Sequence, residues 1–530
     1  MKGESRLTIL DSTLRDGAQA EGISFSVEDK LKIVEILDAL GIDYIEAGNP
    51  GSNPKDIEFF ERIGERKNGN SVICAFGSTR KKGIRPEEDG NLSALLGSGV
   101  DTVVIFGKSW DFHVTEILKT THEENLTMIE DTIRYLKEKG KQVIFDAEHF
   151  FDGYNANSGY ALECLAAAEK GGADIICLCD TNGGTFPDRI YSVVTDVKKH
   201  ISVPVGIHAH NDTGMAVANT IMAVKAGAEH IQGTLIGYGE RCGNANLSTV
   251  IGNLQGKNGE KVIENLSKLT SSCREVAEIS NIRMDKSMPY VGTNAFTHKG
   301  GMHIDGVNKN SRSFEHISPE TVGNERHIVV SEMAGKGTLV EKIKKFYPEL
   351  TKTSPEATEI IHRMKEMEYK GYQYEGADAS FLLLARRTIG DYKPAFTVEK
   401  FKTIGEKQHK EHMPLATATV KIKVGEETEI TAAEGHGPVN ALDLALRKAL
   451  MRFYPELEKV HLQDYKVRIL DGSSGTAAVT RVLIDSTDGS EVWTTVGVSE
   501  DIIEASMIAL SDSLQYKLSK EPSRLEGENK

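Results

Sequence analysis

The first 240 residues alternate short apolar runs with segments in which apolar residues recur every three or four positions. Continuous apolar runs are typical of parallel strands buried on both faces, whereas the spacing in Val27–Leu40 and Met215–Ala226 predicts helices. Eight such units within about 250 residues are typical of a (β/α)8 TIM barrel, and a doubly wound open sheet is the alternative. The predicted strands are Leu7–Thr13, Tyr44–Gly48, Val72–Gly77, Thr102–Gly107, Gln142–Asp146, Ile175–Cys179, Val205–His210 and Ile231–Ile236.

The end of the chain contains an internal repeat of two strands and a helix. Its elements are Ala416–Ile422, Glu427–Ala433 and Val439–Phe453, followed by Ala478–Ile484, Glu491–Val496 and Asp501–Tyr516. Two such units in tandem predict an α+β domain suited to binding or dimerisation. The turn Asp471–Gly475 could hold an anionic or zwitterionic ligand on its backbone N–H groups, or be an ordinary hairpin loop.

The chain between the barrel and the repeat is mixed, helical and charged, and it is most glycine-rich at Gly300–Gly306. We expect this linker region to cover the barrel mouth. The predicted domains are therefore a catalytic barrel (1–273), linker subdomains (274–394), a regulatory domain (395–520) and a polar tail (521–530).

Composition narrows the classes of partner and compartment. A net charge of −15 argues against nucleic-acid binding, which needs a concentrated basic face. No apolar segment is long enough to span a bilayer, and the first residues lack a signal-peptide core. The six cysteines show no CxxC pairing, which favours reduced thiols in a cytoplasmic protein.

Chemically active polar residues follow the predicted strands at their carboxyl ends. In a (β/α)8 barrel these ends form one rim, where functional residues lie. The candidates are Arg15, Asp16, Asp146, Glu148, Asp180, Thr181, Asn182, His208, His210 and Asn244. His208 and His210 alternate with Ala209, so both imidazoles can point to one centre.

Asp16, His208 and His210 supply one oxygen and two nitrogens, and Asn244 could add a neutral oxygen. This donor set suits Mg²⁺, Mn²⁺, Co²⁺ or Zn²⁺ and leaves positions open for a chelating 2-oxo acid. Arg15 could stabilise the alkoxide that develops when the keto group is attacked, or it could join a salt bridge across the barrel top.

Four further side chains have both a functional and a structural interpretation. Glu148 could position substrate or a proton, or form a salt bridge at the rim. Thr181 could donate to a substrate carboxylate, or cap the following helix. His303 is a candidate general base or an exposed loop histidine. Cys242 is expected to be a small packing residue rather than a nucleophile.

Three segments carry a resemblance to a known family. Asp11–Gln19, His208–Asp212 and Gly237–Asn246 resemble the signatures of the acyl-CoA-condensing branch of the DRE-TIM metallolyases. That branch contains 2-isopropylmalate, homocitrate and citramalate synthases. The resemblance is strongest to the long (R)-citramalate synthases, and it is carried by Asp16–Ser26, Pro50–Asp56 and Ser78–Lys82.

The resemblance implies a catalytic barrel with a C-terminal amino-acid-binding regulatory domain. It implies that acetyl-CoA and pyruvate condense and that the thioester is hydrolysed to citramalate and CoA, in a threonine-independent route to isoleucine. The expected assembly is a homodimer, and isoleucine is the expected effector, with leucine as its rival. The implied site comprises Asp16, His208, His210 and Asn244 as metal ligands, Arg15 polarising the keto acid, Glu148 and Thr181 holding substrate, and His303 deprotonating acetyl-CoA.

Two positions depart from the family pattern. Phe314 stands where a tyrosine commonly partners the loop histidine, so the proton path through that hydroxyl is in question. Asn49 replaces an aromatic residue expected before Pro50-Gly51, where keto-acid preference could have changed.

The alternatives are a sister synthase using 2-oxoisovalerate or 2-oxoglutarate, an aldolase-type lyase on the same barrel, and a non-catalytic amino-acid sensor. The C-terminal repeat argues against the lyase, because feedback binding is useful at a committed biosynthetic step. The presence of Asp16, His208 and His210 argues against the sensor.

Overall fold

The structure is a computed structural model that describes residues 7–64, 69–329, 347–351, 353–406, 415–470, 478–489 and 491–520. The chain divides into two compact units. The first unit comprises residues 1–296 and 315–327, and the second comprises residues 297–314 and 328–530. The turn Asp471–Gly475 and the tail 521–530 lie outside the described residues.

The first unit contains a closed barrel of eight parallel strands in sequential order, which confirms the predicted fold. Pairing of Thr8 with His230 and of Asp11 with Gly233 closes the first strand onto the last. The strands are β1 (Thr8–Asp11), β2 (Tyr44–Glu46), β3 (Val72–Ser78), β4 (Thr102–Lys108), β5 (Gln142–Glu148), β6 (Ile175–Asp180), β7 (Val205–Ala209) and β8 (His230–Gly233).

The helices of this unit follow the strands as the periodicity predicts. The helix at Val27–Leu40 begins with a capping box between Ser26 and Asp29 and ends at Gly41, whose φ is 97°. The helices are α1 (Val27–Leu40), α2 (Pro54–Ile63), α3 (Gly90–Gly97), α4 (His122–Glu138), α5 (Phe150–Gly171), α6 (Pro187–Val197), α7 (Ala216–Lys225), α8 (Leu247–Ile251) and α9 (Leu269–Ile279).

Alternation along the strands separates two apolar layers. Val103 and Phe145 belong to the large core that strands and helices share, whereas Val104 and Ile144 belong to a smaller cluster inside the barrel. Side chains two residues apart share a face. Glu148 therefore faces inward as well, because it follows Ile144 by four residues on β5. The inward positions thus run from an apolar layer to the polar rim.

A buried ion pair fastens the loop after β2. Lys30 Nζ lies 2.5 Å from Asp56 Oδ1 and donates to the carbonyl of Ala47 at 2.7 Å. Asp56 Oδ2 accepts from the backbone N–H of Asn49 at 2.9 Å. Both charged side chains are less than a tenth exposed, so each depends on the other for compensation of its buried charge.

The second unit ends in two three-stranded antiparallel sheets, ordered β11-β12-β13 and β14-β15-β16. The repeat therefore has one more strand per copy than predicted. The extra strands, Thr397–Glu406 and His461–Ile469, are sheet edges with polar sequences, and His461–Ile469 is almost entirely exposed. Thr397–Glu406 carries its apolar residues three positions apart, at Val398, Phe401 and Ile404, and a bulge interrupts its pairing. His461–Ile469 does alternate at Tyr465, Val467 and Ile469, so the period of a strand was present there and the prediction missed it.

The remaining elements complete the described chain. The helices are α10 (Gly301–Lys309), α11 (Pro355–Tyr369), α12 (Asp378–Ile389), α13 (Pro438–Met451) and α14 (Ile502–Leu518). The strands are β9 (Thr297–His298), β10 (His327–Ile328), β11 (Thr397–Glu406), β12 (Leu415–Val424), β13 (Glu427–Gly435), β14 (His461–Ile469), β15 (Thr480–Thr487) and β16 (Val492–Ser499).

No helix in the described part of the chain is long and apolar enough to cross a bilayer. The domain boundaries at 273, 394 and 520 remain a prediction.

Breaking the buried pair from one side tests its role in stability. We expect Asp56→Ala to lower the free energy of unfolding by about 3–5 kcal/mol, because Lys30 would be left buried without a counter-charge. Urea unfolding of the full chain measures this value. The matched control is Glu88→Ala, which breaks the exposed pair of Arg85 and Glu88 and should leave the free energy of unfolding nearly unchanged, because exposed ion pairs contribute little to stability. Equal losses in the two variants would contradict the expectation.

Candidate active site

Asp16, His208 and His210 meet at the carboxyl end of the barrel. Oδ2 of Asp16 lies 3.8 Å from Nε2 of His208 and 3.8 Å from Nε2 of His210. The two Nε2 atoms are 3.3 Å apart. All three residues are buried, and the structure therefore brings the three predicted ligands together.

Asn244 joins this cluster through the turn that follows β8. Its backbone forms an isolated antiparallel bridge with His210, and its Nδ2 donates to Asp16 Oδ1 at 2.9 Å. A Cβ atom at Gly239 would lie 2.2 Å from Asn244 Nδ2, so only glycine allows the turn to pack this closely. Oδ1 of Asn244 is buried and has no hydrogen-bond partner among the described residues.

Burial and charge set the protonation states of this cluster. Burial alone would raise the pKa of Asp16, but the Arg15 guanidinium and the two imidazoles hold it well below its usual range. Burial lowers the pKa of His208 to about 3 and also lowers the pKa of His210. The site thus presents an ionised carboxylate beside two neutral imidazoles.

Arg15 is held between two carboxylates and an aromatic ring. Its Nε donates to Glu46 Oε2 at 2.7 Å and its Nη1 donates to Asp16 Oδ2 at 3.0 Å. The guanidinium carbon lies 3.9 Å from the centroid of Phe76. These contacts leave Nη2 without a hydrogen-bond partner among the residues that the structure describes. The predicted salt bridge at the rim and a role toward substrate are therefore compatible.

Glu148 and Thr181 lie at the ends of neighbouring strands. Glu148 forms an ion pair with Lys108. The Thr181 hydroxyl oxygen accepts from the backbone N–H of His149 at 2.9 Å, which leaves its proton free to be donated. Thr181 does not cap α6, whose N-cap is Phe186. The substrate roles of Glu148 and Thr181 remain predictions.

His303 belongs to the second unit, on α10. Its ring stacks on Phe314 with centroids 4.2 Å apart and an interplanar angle of 22°. A Cβ atom at Gly306 would lie 2.5 Å from the Phe314 ring, so this glycine makes room for the stack. Phe314 therefore keeps a ring contact with the histidine but brings no hydroxyl. The role of His303 as general base remains a prediction.

Two further expectations can be compared with the structure. Cys242 is exposed, whereas the other five cysteines are buried. Its predicted packing role is therefore wrong, because the turn in which it lies is on the surface. Asn49 Oδ1 accepts from the backbone N–H of Gly51 at 2.9 Å and thereby shapes the loop after β2.

Sequence reasoning missed the side chains that support the cluster. Glu46 is buried and also accepts from Ser12 Oγ at 2.5 Å. Gln232 is buried between His208 and Asp146. Both could have been found in the sequence, because each is a polar residue within an apolar strand, Glu46 in β2 and Gln232 in β8. A buried polar side chain needs hydrogen-bond partners.

The donor set fits a divalent cation. A cation bound at about 2.1 Å from each ligand separates neighbouring ligand atoms by about 3.0 Å in an octahedral site. The two imidazole nitrogens are close to this separation at 3.3 Å, and each is somewhat farther from Asp16 Oδ2, at 3.8 Å. The unpartnered Oδ1 of Asn244 supplies a further neutral oxygen. Asp16, His208 and His210, with Asn244 beside them, are thus the residues that would hold a metal.

The chain matches three family models. HMGL-like matches residues 6–277, the homocitrate synthase post-HMGL domain-like model matches residues 290–371, and the LeuA allosteric (dimerisation) domain matches residues 375–518.

Curated relatives match over nearly the whole chain. The (R)-citramalate synthase of Aquifex aeolicus is 52% identical over 97% of this chain and 98% of that protein. The (R)-citramalate synthase of Geobacter sulfurreducens is 49% identical over 99% of this chain and 100% of that protein. The 2-isopropylmalate synthase of Methanocaldococcus jannaschii is 34% identical over 97% of this chain and 95% of that protein.

Asp11, in the first of the three family segments, allows the effect of burial on a carboxyl pKa to be tested. Burial raises its pKa to about 7. Its stabilising contribution is therefore complete below pH 4, where the unfolded chain is also protonated, and is lost as the pH rises to about 7. We expect Asp11→Asn, which stays neutral, to become more stable relative to the unsubstituted chain between pH 4.5 and 7.5. Urea unfolding across this range measures the difference, and a constant difference would refute the assignment.

Proposed function

This chain belongs to the HMGL-like family and, within it, to the (R)-citramalate synthases, and we propose that it condenses acetyl-CoA with pyruvate and water to give (R)-citramalate and CoA. It is an acyltransferase of the condensing type. The observation that carries the proposal is the cluster of Asp16, His208 and His210 beside Arg15 at the barrel rim. Identity of 52% and 49% to citramalate synthases, against 34% to a 2-isopropylmalate synthase, favours pyruvate as the keto acid.

The reaction needs three chemical operations. A proton leaves the acetyl methyl group, the resulting carbon attacks the keto carbon of pyruvate, and water then cleaves the thioester and releases CoA. A divalent cation held by Asp16, His208 and His210, which we propose to be Mg²⁺, Mn²⁺, Co²⁺ or Zn²⁺, supplies positive charge that polarises the keto group.

Arg15 is placed to act on the oxygen that becomes negative. Two carboxylates fix its guanidinium, and its Nη2 has no hydrogen-bond partner among the described residues. Such a fixed donor stabilises developing charge without reorganising during the reaction. Thr181 can donate its hydroxyl proton to the pyruvate carboxylate, and Glu148 can orient substrate. We assign deprotonation of acetyl-CoA to His303 on the family resemblance.

A cavity of about 280 Å³ opens beside Arg15. Gln19, Asn49 and Lys55 are among its lining residues. We propose that the acetyl thioester enters from this side, because two carboxamides and an ammonium group can form hydrogen bonds with the polar pantetheine chain. Asn49, the departure from the family pattern, would then contact acetyl-CoA as well as shape its loop.

The C-terminal part of the chain has a regulatory role in this proposal. Residues 375–518 match the LeuA allosteric (dimerisation) domain, which supports a homodimer and feedback by an amino acid. We propose isoleucine as the effector, because citramalate lies on a route to that amino acid, and the cytoplasm as the location.

One assay tests the reaction and the keto acid together. CoA release from acetyl-CoA is followed with pyruvate, 2-oxobutyrate, 2-oxoisovalerate or 2-oxoglutarate, each with and without chelator, isoleucine or leucine. We expect the highest kcat/KM with pyruvate, loss of activity on metal removal, recovery with added divalent cation, and inhibition by isoleucine. A preference for 2-oxoisovalerate would identify a 2-isopropylmalate synthase instead. Activity that survives complete metal removal would refute the metal site.

Arg15→Lys tests the fixed guanidinium. Lysine cannot bond two carboxylates in a planar fork while lying flat on Phe76, so we expect kcat/KM to fall about 100-fold or more. The matched control is Arg85→Lys at an exposed position paired with Glu88, which should keep full activity. Unchanged kcat/KM in the Arg15 variant, with an unchanged melting temperature, would exclude the assigned role.

A further inference from the structure

We propose that Gln232 and Asp146 are positioning residues that fix the tautomer of His208, so that its Nε2 lone pair faces the cation. This inference rests on the metal site of the proposed function. Neither side chain is a proposed metal ligand: Asp146 orients Gln232, and Gln232 orients His208.

The three side chains form a continuous hydrogen-bonded chain inside the barrel. Gln232 Nε2 donates to Asp146 Oδ1 at 2.8 Å, and Gln232 Oε1 lies 3.1 Å from His208 Nδ1. His208 and Gln232 are direct register partners on β7 and β8. Gln232 is completely buried, so water cannot replace either contact.

The partner on the far side decides which way the amide faces. Asp146 offers an acceptor to Gln232, so the NH₂ group of the amide faces Asp146 and its carbonyl oxygen faces His208. Burial raises the pKa of Asp146 to about 8, and a neutral carboxyl with its proton on Oδ2 still accepts at Oδ1. The amide therefore has the same orientation beside the ionised carboxylate and beside the neutral carboxyl whose proton is on Oδ2.

The amide orientation in turn places the imidazole proton. A neutral imidazole carries one N–H, and the other nitrogen keeps its lone pair. Because Gln232 Oε1 can only accept, the proton of His208 lies on Nδ1 and its Nε2 is left bare. That Nε2 atom is the one 3.8 Å from Asp16 and 3.3 Å from His210. A reversed amide would place the proton on Nε2 and block metal binding.

His210 shows that this support is specific to one of the two imidazoles. Its Nδ1 is buried without a hydrogen-bond partner among the described residues. His208 is thus the ligand whose tautomer is set by the protein, and replacing Gln232 should affect the site through that ring.

The test measures binding of Mn²⁺ to the metal-free full chain by titration calorimetry. We expect Gln232→Leu to raise the Kd about 10- to 100-fold, as is typical when a hydrogen-bond partner of a ligating histidine is removed. Gln232→Glu keeps an acceptor facing Nδ1 and should recover most of the affinity. The matched control is Gln142→Leu, which removes a glutamine bonded to Tyr44 and Thr102 at the opposite end of the barrel and should leave the Kd unchanged.

A spectroscopic measurement separates positioning from mere structural support. ¹⁵N NMR of histidine-labelled, metal-free protein reports which ring nitrogen carries the proton, and loss of the signal in His208→Ala assigns it. We expect protonated Nδ1 in the unsubstituted chain and in Gln232→Glu, and a larger fraction of protonated Nε2 in Gln232→Leu. An Nδ1–H population that is the same in all three proteins would overturn the inference.

The outcomes distinguish this inference from the proposed function. If His208→Ala binds Mn²⁺ as tightly as the unsubstituted chain, the metal site itself is wrong. If His208→Ala loses binding but Gln232→Leu and the unsubstituted chain bind equally, the metal site stands and the positioning role fails.

Discussion

A guanidinium held between two carboxylates is the interaction on which the rest of the site depends. Glu46 holds one edge of Arg15 and Asp16 holds another, while Phe76 lies against its face. Without that positive charge, burial would push Asp16 toward its neutral form, which is a poor metal ligand. The same burial keeps His208 and His210 neutral, so one enclosed environment gives each group the protonation state that metal binding requires.

The barrel could be predicted from the sequence because its signals are local. Each strand is a short apolar run and each helix has its own periodicity, so eight β/α units can be recognised without knowing which elements meet. The rim residues followed from the rule that functional groups stand at the carboxyl ends of strands. The edge strand β11 was missed because its apolar residues are three positions apart and a bulge interrupts its pairing. The edge strand β14 was missed although Tyr465, Val467 and Ile469 alternate with basic residues, a pattern that could have predicted it.

The partners within the site could not be predicted, because they depend on register across the barrel. Gln232 reaches Asp146 over 86 residues of chain and Asn244 reaches Asp16 over 228. Glu46 and Gln232 can be recognised as polar residues within apolar strands. Their neighbours in the sequence do not indicate that they contact Arg15 and His208. The stack of His303 on Phe314 is likewise visible only in three dimensions.

The separation of the ligands along the chain has a consequence for folding. Asp16 follows β1, the two histidines belong to the end of β7, and Asn244 follows β8, so the cluster spans the seam where the first strand pairs with the last. A cation that binds these residues together binds only the closed barrel, and any ligand selective for the native state stabilises it by mass action. Metal binding would therefore oppose separation of the first strand from the last, which is the step that opens the barrel.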